Sequence, residues 1–176
     1  MQSLSWLVAA MMTWAPAKET ELSRYGEIAN DLITVGFDEN ESPLFEGEGA
    51  REQTVLLLAS IAAHESGFRK DIEKGHVRGD SGTSWCMMQI HIGRGKTAEG
   101  WSGKELAEDR QRCFRAGLHL ARESFRRCRA VSLPNRLSGY ASGFCGNSPV
   151  SREMVSRAVN YWEESGETDD DFAANP

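Results

Sequence analysis

The sequence predicts a predominantly α-helical α+β domain with a small irregular or hairpin segment at about 70–100. Three observations carry that expectation. Apolar residues recur at three- and four-residue steps in several long segments, the repeat of a helix with one buried face. Residues 67–101 hold seven glycines and no such stripe, so turns and a short hairpin are expected there. At 176 residues the chain has single-domain size and enough length for one sizeable core.

The elements follow in order. "MQSLSWLVAAMM" has a short apolar core but no basic residue before Lys18. A secretory signal normally begins with positive charge, so a first helix of the folded protein is expected, with a signal peptide as the alternative. In 20–35, Leu22, Tyr25, Ile28, Ala29, Leu32 and Ile33 share one helical face, with Thr20 as its cap. "GFDENESPLFEGEGA" at 36–50 is a Gly-, Pro- and acid-rich loop. A helix over about 51–66 follows, and after the irregular middle Ser102 and Glu105 form a capping box. That box opens a long helix to about Cys128, with Leu106, Phe114, Leu118, Ala121 and Phe125 on one side. Pro134 interrupts the chain, a short helix is expected near 136–142, and a last one runs from Ser151 to about Glu164. Residues 1–165 therefore read as one domain and 166–176 as an acidic, frayed tail.

Composition excludes some functions. A net charge of −6 argues against a general nucleic-acid binder and against docking on an anionic membrane. No stretch approaches the ~20 continuous apolar residues of a spanning helix. No metal or cofactor is expected, because there is no Cys-x-x-Cys and "HESGF" is not His-Glu-x-x-His.

The residue that needs explaining is Glu65. It ends the most apolar stretch of the chain and shares a stripe with Leu58, Ile61 and Ala62. Desolvation should disfavour its charge. Gly67 is a good left-handed stop, which places Glu65 at the negative end of its helix. A carboxyl kept protonated near neutral pH is what a general acid for glycosidic cleavage requires. The alternative is a Glu that turns outward to meet Arg69 or Lys70.

A second and a third segment bear on the choice. Glu65-Ser66-Gly67-Phe68, then a glycine-rich turn and Met87-Met88-Gln89-Ile90, then Gly139-Tyr140-Ala141-Ser142-Gly143, together resemble the lytic transglycosylases and goose-type lysozymes. Their pattern runs Glu-Ser-x-Phe, Gly-Leu-Met-Gln-(Ile/Val) and Ala-Tyr-Asn-Ala-Gly. The resemblance implies a lysozyme-like fold that cleaves the β-1,4 bond between N-acetylmuramic acid and N-acetylglucosamine in peptidoglycan glycan strands. It implies Glu65 as the catalytic acid, Met88, Gln89 and Ile90 along the sugar cleft, and Tyr140 facing the acid. It also offers Asp80, in "RGDSG", as a second carboxylate, since goose-type enzymes carry an aspartate nine residues before the glutamine. Where those enzymes have a further aspartate after Met-Gln-Val, this chain has His91. Asp80 can equally serve only as the cap of a turn beside Gly79 and Gly82.

The chain departs from the pattern at Cys86, where a glycine is usual, and at Ala141 and Ser142, where asparagine and alanine are usual. The cysteines surround these motifs. On one continuous helix Cys113 and Cys128 lie ~22 Å apart and cannot bridge. At least one bridge involving Cys145 is expected, with its partner left open; one to Cys113 or Cys86 would pin the loops that carry the motifs, and free thiols are the alternative. Such a bridge would suit an extracytoplasmic or virion-borne enzyme. The expected function is a muramidase, leaning towards the transglycosylase outcome because the third motif belongs to that family. The alternatives are a hydrolase in which Asp80 positions water, or a non-catalytic glycan-binding or structural relative in a phage-tail or secretion assembly.

Overall fold

The computed structural model describes residues 4–93 and 95–165; the expected acidic tail at 166–176 lies outside them. Eight α-helices and one two-stranded antiparallel sheet make up the regular structure of these residues, so the chain is α+β and predominantly helical. No helix among them is long and apolar enough to cross a membrane.

Helix α1 (Ser5–Trp14) buries Leu7, Ala10 and Met11 in the core. Helix α2 (Leu22–Gly36) follows a short 3-10 turn at Glu19–Glu21, so Thr20 lies inside that turn and caps nothing. The expected face of α2 is buried at Tyr25, Ile28, Ala29 and Leu32, while Leu22 at its start is exposed. Helix α3 (Ala50–Ser66) is the centre of the molecule. Every residue from Thr54 to Ala63 is buried, and α1, α2, α6 (Arg110–Arg127) and α8 (Pro149–Ser165) all pack against it. A helix apolar on every side is a core element, which is why its sequence shows a continuous apolar run.

The acid-rich loop before α3 is not loose. Glu41 is buried and receives Arg115, His119 and Arg122, all from α6. Its charge is thereby balanced, the condition under which a carboxylate tolerates burial.

After α3 come the short α4 (Lys70–Glu73), a 3-10 turn at Asp80–Gly82, and the hairpin β1 (Ser84–Trp85) and β2 (Ile90–His91). Ser84 pairs with His91 and Trp85 with Ile90. The expected hairpin is therefore present, although each strand has only two residues.

The capping box forms as expected, with the Glu105 carboxylate accepting from the Ser102 amide at 2.8 Å. The expected single long helix is divided, however, into α5 (Gly103–Glu108) and α6. Asp109 takes an extended conformation and its carboxylate accepts from the Arg112 amide at 3.1 Å, so it caps a new helix. Helix α7 (Ser138–Ser142) and α8 complete the chain.

All four cysteines are bridged, Cys86 to Cys113 and Cys128 to Cys145. Exclusion of a Cys113–Cys128 pair holds, because both lie on or at the end of α6. Cys145 is bridged as expected, and the partner left open by the sequence is Cys128. The turn after α7 brings Cys145 back to the C-terminal end of α6, with Cys128 at a Cα separation of 5.2 Å. Cys113, near the other end of α6, holds Cys86.

Unfolding without reductant is expected to expose no reactive thiol. Replacing Cys128 and Cys145 together with alanine is expected to lower unfolding free energy by roughly 3 kcal/mol, the loop-closure entropy of a ring of this length. A thiol assay and chemical denaturation measure both.

Candidate active site

Glu65 is the penultimate residue of α3, and the chain holds it there by stopping the helix abruptly. Gly67 and Phe68 both take left-handed conformations, at φ 55° and 54°. The Gly67 amide still donates to the Ala63 carbonyl. Ser66 Oγ donates to the Ala62 carbonyl at 2.8 Å and accepts from the Phe68 amide at 3.2 Å. Phe68 then enters the core and meets Tyr25 edge-to-face, with ring centroids 5.2 Å apart. Its carbonyl accepts from Arg24 Nη1 at 2.6 Å, and Arg24 also pairs with the buried Glu73, which faces Arg110 of α6 at 3.4 Å. The Glu-Ser-Gly-Phe stretch is thus a rigid stop that fixes the acid.

Glu65 opens onto a groove of about 470 Å³ shared with Asp80, Gln89 and Tyr140. Burial, and secondarily the negative charge of Asp80, push its pKa up to about 7. The outward-turned alternative, paired to Arg69 or Lys70, is not what forms, since Arg69 pairs with Asp71 instead. The desolvation expected from the apolar stripe accounts for most of the shift, and a second carboxylate adds to it.

Asp80 lies at φ 48° at the start of its turn. Its carboxylate accepts from Ser84 Oγ at 2.5 Å and faces His91 Nδ1 at 3.6 Å. It therefore both shapes the turn, as a cap would, and presents charge to the groove. His91 lines the groove as well.

The remaining expected site residues divide. Met88 and Ile90 are fully buried in the core and do not line the groove. Hairpin register turns Ile90 inward, and Met88 packs where Gly117 of α6 leaves room; a Cβ there would stand 2.4 Å from Met88 Cε. Gln89 does line the groove, but its amide is engaged. Oε1 accepts from the Gly79 amide at 2.8 Å and Nε2 donates to the Cys86 carbonyl at 3.0 Å. Its side chain thus ties the loop carrying Asp80 to the hairpin turn. Tyr140 lies near the acid, whose charge together with burial raises the phenol pKa well above its usual value, burial being the larger cause. Its hydroxyl donates to the Met88 carbonyl at 2.6 Å rather than to Glu65.

Cys86 stands where the resembling pattern has glycine, and the backbone there is left-handed, at φ 59°. Glycine suits that conformation without steric cost, whereas another residue pays roughly 1–2 kcal/mol. Its bond to Cys113 fixes the turn against α6.

One wall was missed by motif reading. Leu120, Glu123, Ser124 and Arg127 of α6 also line the groove. They recur at three- and four-residue steps, so the sequence held the stripe, but nothing marked it as facing a cleft. Ser124 Oγ accepts from the Tyr140 amide at 3.0 Å, and Arg127 donates to the Gly139 carbonyl at 3.1 Å, which together seat α7 on α6. Among the described residues no group of three or more His, Cys, Asp or Glu is arranged to hold a metal ion.

No protein-family model, curated protein or solved structure matches the chain.

The raised pKa has a stability consequence. The folded state disfavours ionised Glu65, so the group destabilises the fold progressively as pH rises from the unfolded carboxyl range to about 7, and no further above that. Glu65→Gln is therefore expected to match the parent at pH 4 and to exceed it at pH 8 by roughly 2 kcal/mol, after allowing for solvent screening. Denaturation at the two pH values checks this.

Proposed function

We propose that this chain cleaves the β-1,4 bond between N-acetylmuramic acid and N-acetylglucosamine in peptidoglycan, with Glu65 as general acid. The observation that carries the reading is the carboxyl of Glu65, held beside a groove with a pKa of about 7. A binding module has no use for such a group, and a non-catalytic role leaves its burial unexplained. The three motif segments that resemble the lytic transglycosylases and goose-type lysozymes, Glu65–Phe68, Met87–Ile90 and Gly139–Gly143, meet around this one groove. That convergence supports a lysozyme-like fold.

In the proposed reaction the protonated Glu65 gives its proton to the glycosidic oxygen as the bond to the anomeric carbon breaks. The anomeric carbon becomes oxocarbenium-like, and negative charge nearby stabilises it. Asp80 supplies that charge from the same groove, anchored by Ser84. The positive carbon is then captured by the muramyl 6-hydroxyl, closing a 1,6-anhydro ring, or by water; either nucleophile gives its proton to the Glu65 carboxylate left by the first step, which restores the acid. We favour ring closure on the strength of the Gly-Tyr-x-x-Gly segment. Hydrolysis is the second reading, and Asp80 in the groove favours it, because it could orient water. Two disulfides support an extracytoplasmic or virion-associated place of action.

Glu65→Gln is expected to fold normally and to lose lysis of purified cell walls by about 10²–10⁴-fold, the usual contribution of a positioned acid. Lysis equal to the parent's would refute the assignment. Because the acid must carry its proton, activity is expected to fall as pH rises through about 7; a rate still climbing at alkaline pH would contradict it. Mass spectrometry of the products separates the outcomes. Anhydro ends are about 18 mass units lighter than reducing ends, the mass of one water, while reducing ends lost on Asp80→Asn would establish hydrolysis.

A further inference from the structure

The loop after α7 carries an aromatic side chain with no packing role. Phe144 is 81% exposed, whereas the other exposed large apolar residues among those described lie between 38% and 45%. A bare phenyl ring forgoes the burial that holds Phe68 and Phe114 in the core. The loop around it is nevertheless clamped at every step. Arg127 donates to the Gly143 carbonyl at 3.2 Å, and Ser142 Oγ donates to the carbonyl of Phe144 itself at 3.3 Å. Cys145, the next residue, is bonded to Cys128, and the Gly146 amide donates to Ser138 Oγ at 3.1 Å. The ring is thus displayed on a fixed support, and its exposure is not the result of a frayed end.

That support is continuous with the groove. Arg127 lines the groove and holds the carbonyl bonded directly to the Phe144 nitrogen, and Ala141 of α7 lines the same side. A β-1,4-linked N-acetylhexosamine chain fits such a combination. Its chair rings carry their substituents equatorially, so their flat C–H faces are apolar and favour the negative face of an aromatic ring, while hydroxyl and amide groups reach sideways to polar partners. A glycan strand longer than a groove of about 470 Å³ must also pass over a rim. The geometry points to Phe144 as a stacking platform for a sugar unit of the glycan strand beyond the cleavage groove. This rests on the reading of the groove as a glycan-cleaving site. Phe144 touches no reacting atom and binds the strand outside the chemistry.

The test uses the full chain bearing Glu65→Gln, which holds substrate without turnover, and compares a short and a long soluble β-1,4 N-acetylhexosamine oligosaccharide by titration calorimetry. The longer oligomer is expected to bind more tightly. Adding Phe144→Ala is expected to weaken it by roughly five- to thirty-fold, the scale of losing part of an aromatic contact. The shorter one should lose less, and Phe144→Trp should restore the longer one's affinity. Equal affinities for Phe144→Ala and Phe144 proteins overturn the platform alone. So does concentration-dependent self-association that Phe144→Ala abolishes, because it makes the ring a contact between copies. Failure of either oligomer to bind the Glu65→Gln protein overturns the platform together with the glycan-cleaving reading.

Discussion

A carboxyl group at the end of a helix that has almost no wet face is the constraint around which this molecule is arranged. Helix α3 is buried from Thr54 to Ala63, and its last turn delivers Glu65 to the groove. Desolvation keeps the acid's proton on near neutral pH. The acid sits at the groove because the helix ends one residue after it. The left-handed pair Gly67 and Phe68, the Ser66 hydroxyl and the buried Phe68 ring enforce that stop. The Arg24–Glu73–Arg110 ion network then fastens the stop to α2 and α6.

Around the acid, backbone strain is concentrated and held by cross-links. The non-glycine residues with positive φ among those described are Phe68, Asp80, Ser81, Cys86 and Gln89, and all lie in the segment from the helix stop to the hairpin. Each such conformation costs on the order of 1–2 kcal/mol and persists only where its surroundings over-determine it. Those surroundings are visible. The amide of Gln89 spans Gly79 and Cys86, the Cys86–Cys113 bond ties the turn to α6, and Ser84 holds the Asp80 carboxylate. The α6 wall is fixed by Ser124, Arg127 and the Cys128–Cys145 bond. The backbone that carries the groove is therefore tied by bonds within the chain, at the hairpin and at the α6–α7 contact.

Much of this was legible in the sequence, for identifiable reasons. The three- and four-residue repeats located the long helices, and the capping box at Ser102 and Glu105 located one helix start. The apolar run before Glu65 revealed its burial, because a helix apolar on every side has no alternative to the core. Side-chain direction was not legible where strands have two residues and the turn between them is left-handed. There Gln89 alone of the three expected residues lines the groove, with its amide bonded to backbone, while Met88 and Ile90 face the core. The break at Asp109 was hidden because a single capping aspartate inside an amphipathic stripe leaves the stripe unbroken. The α6 wall and the pairing of Cys145 were hidden because both depend on how the chain returns after Pro134, which is a long-range matter.

Glu65, Asp80 and Tyr140 define a chemistry that depends on one quantity, the proton affinity of Glu65. Asp80 raises it through charge, Tyr140 shares the acid's buried surroundings and leaves its own proton on the Met88 carbonyl, and the core removes the water that would lower it. The most direct measurement is a carboxyl-carbon NMR titration of Glu65 in the intact protein and in Asp80→Asn. A midpoint at about 7 is expected in the parent, moving down but staying above the ordinary glutamate range when the Asp80 charge is removed. A midpoint in the ordinary range in the parent protein would contradict the raised proton affinity.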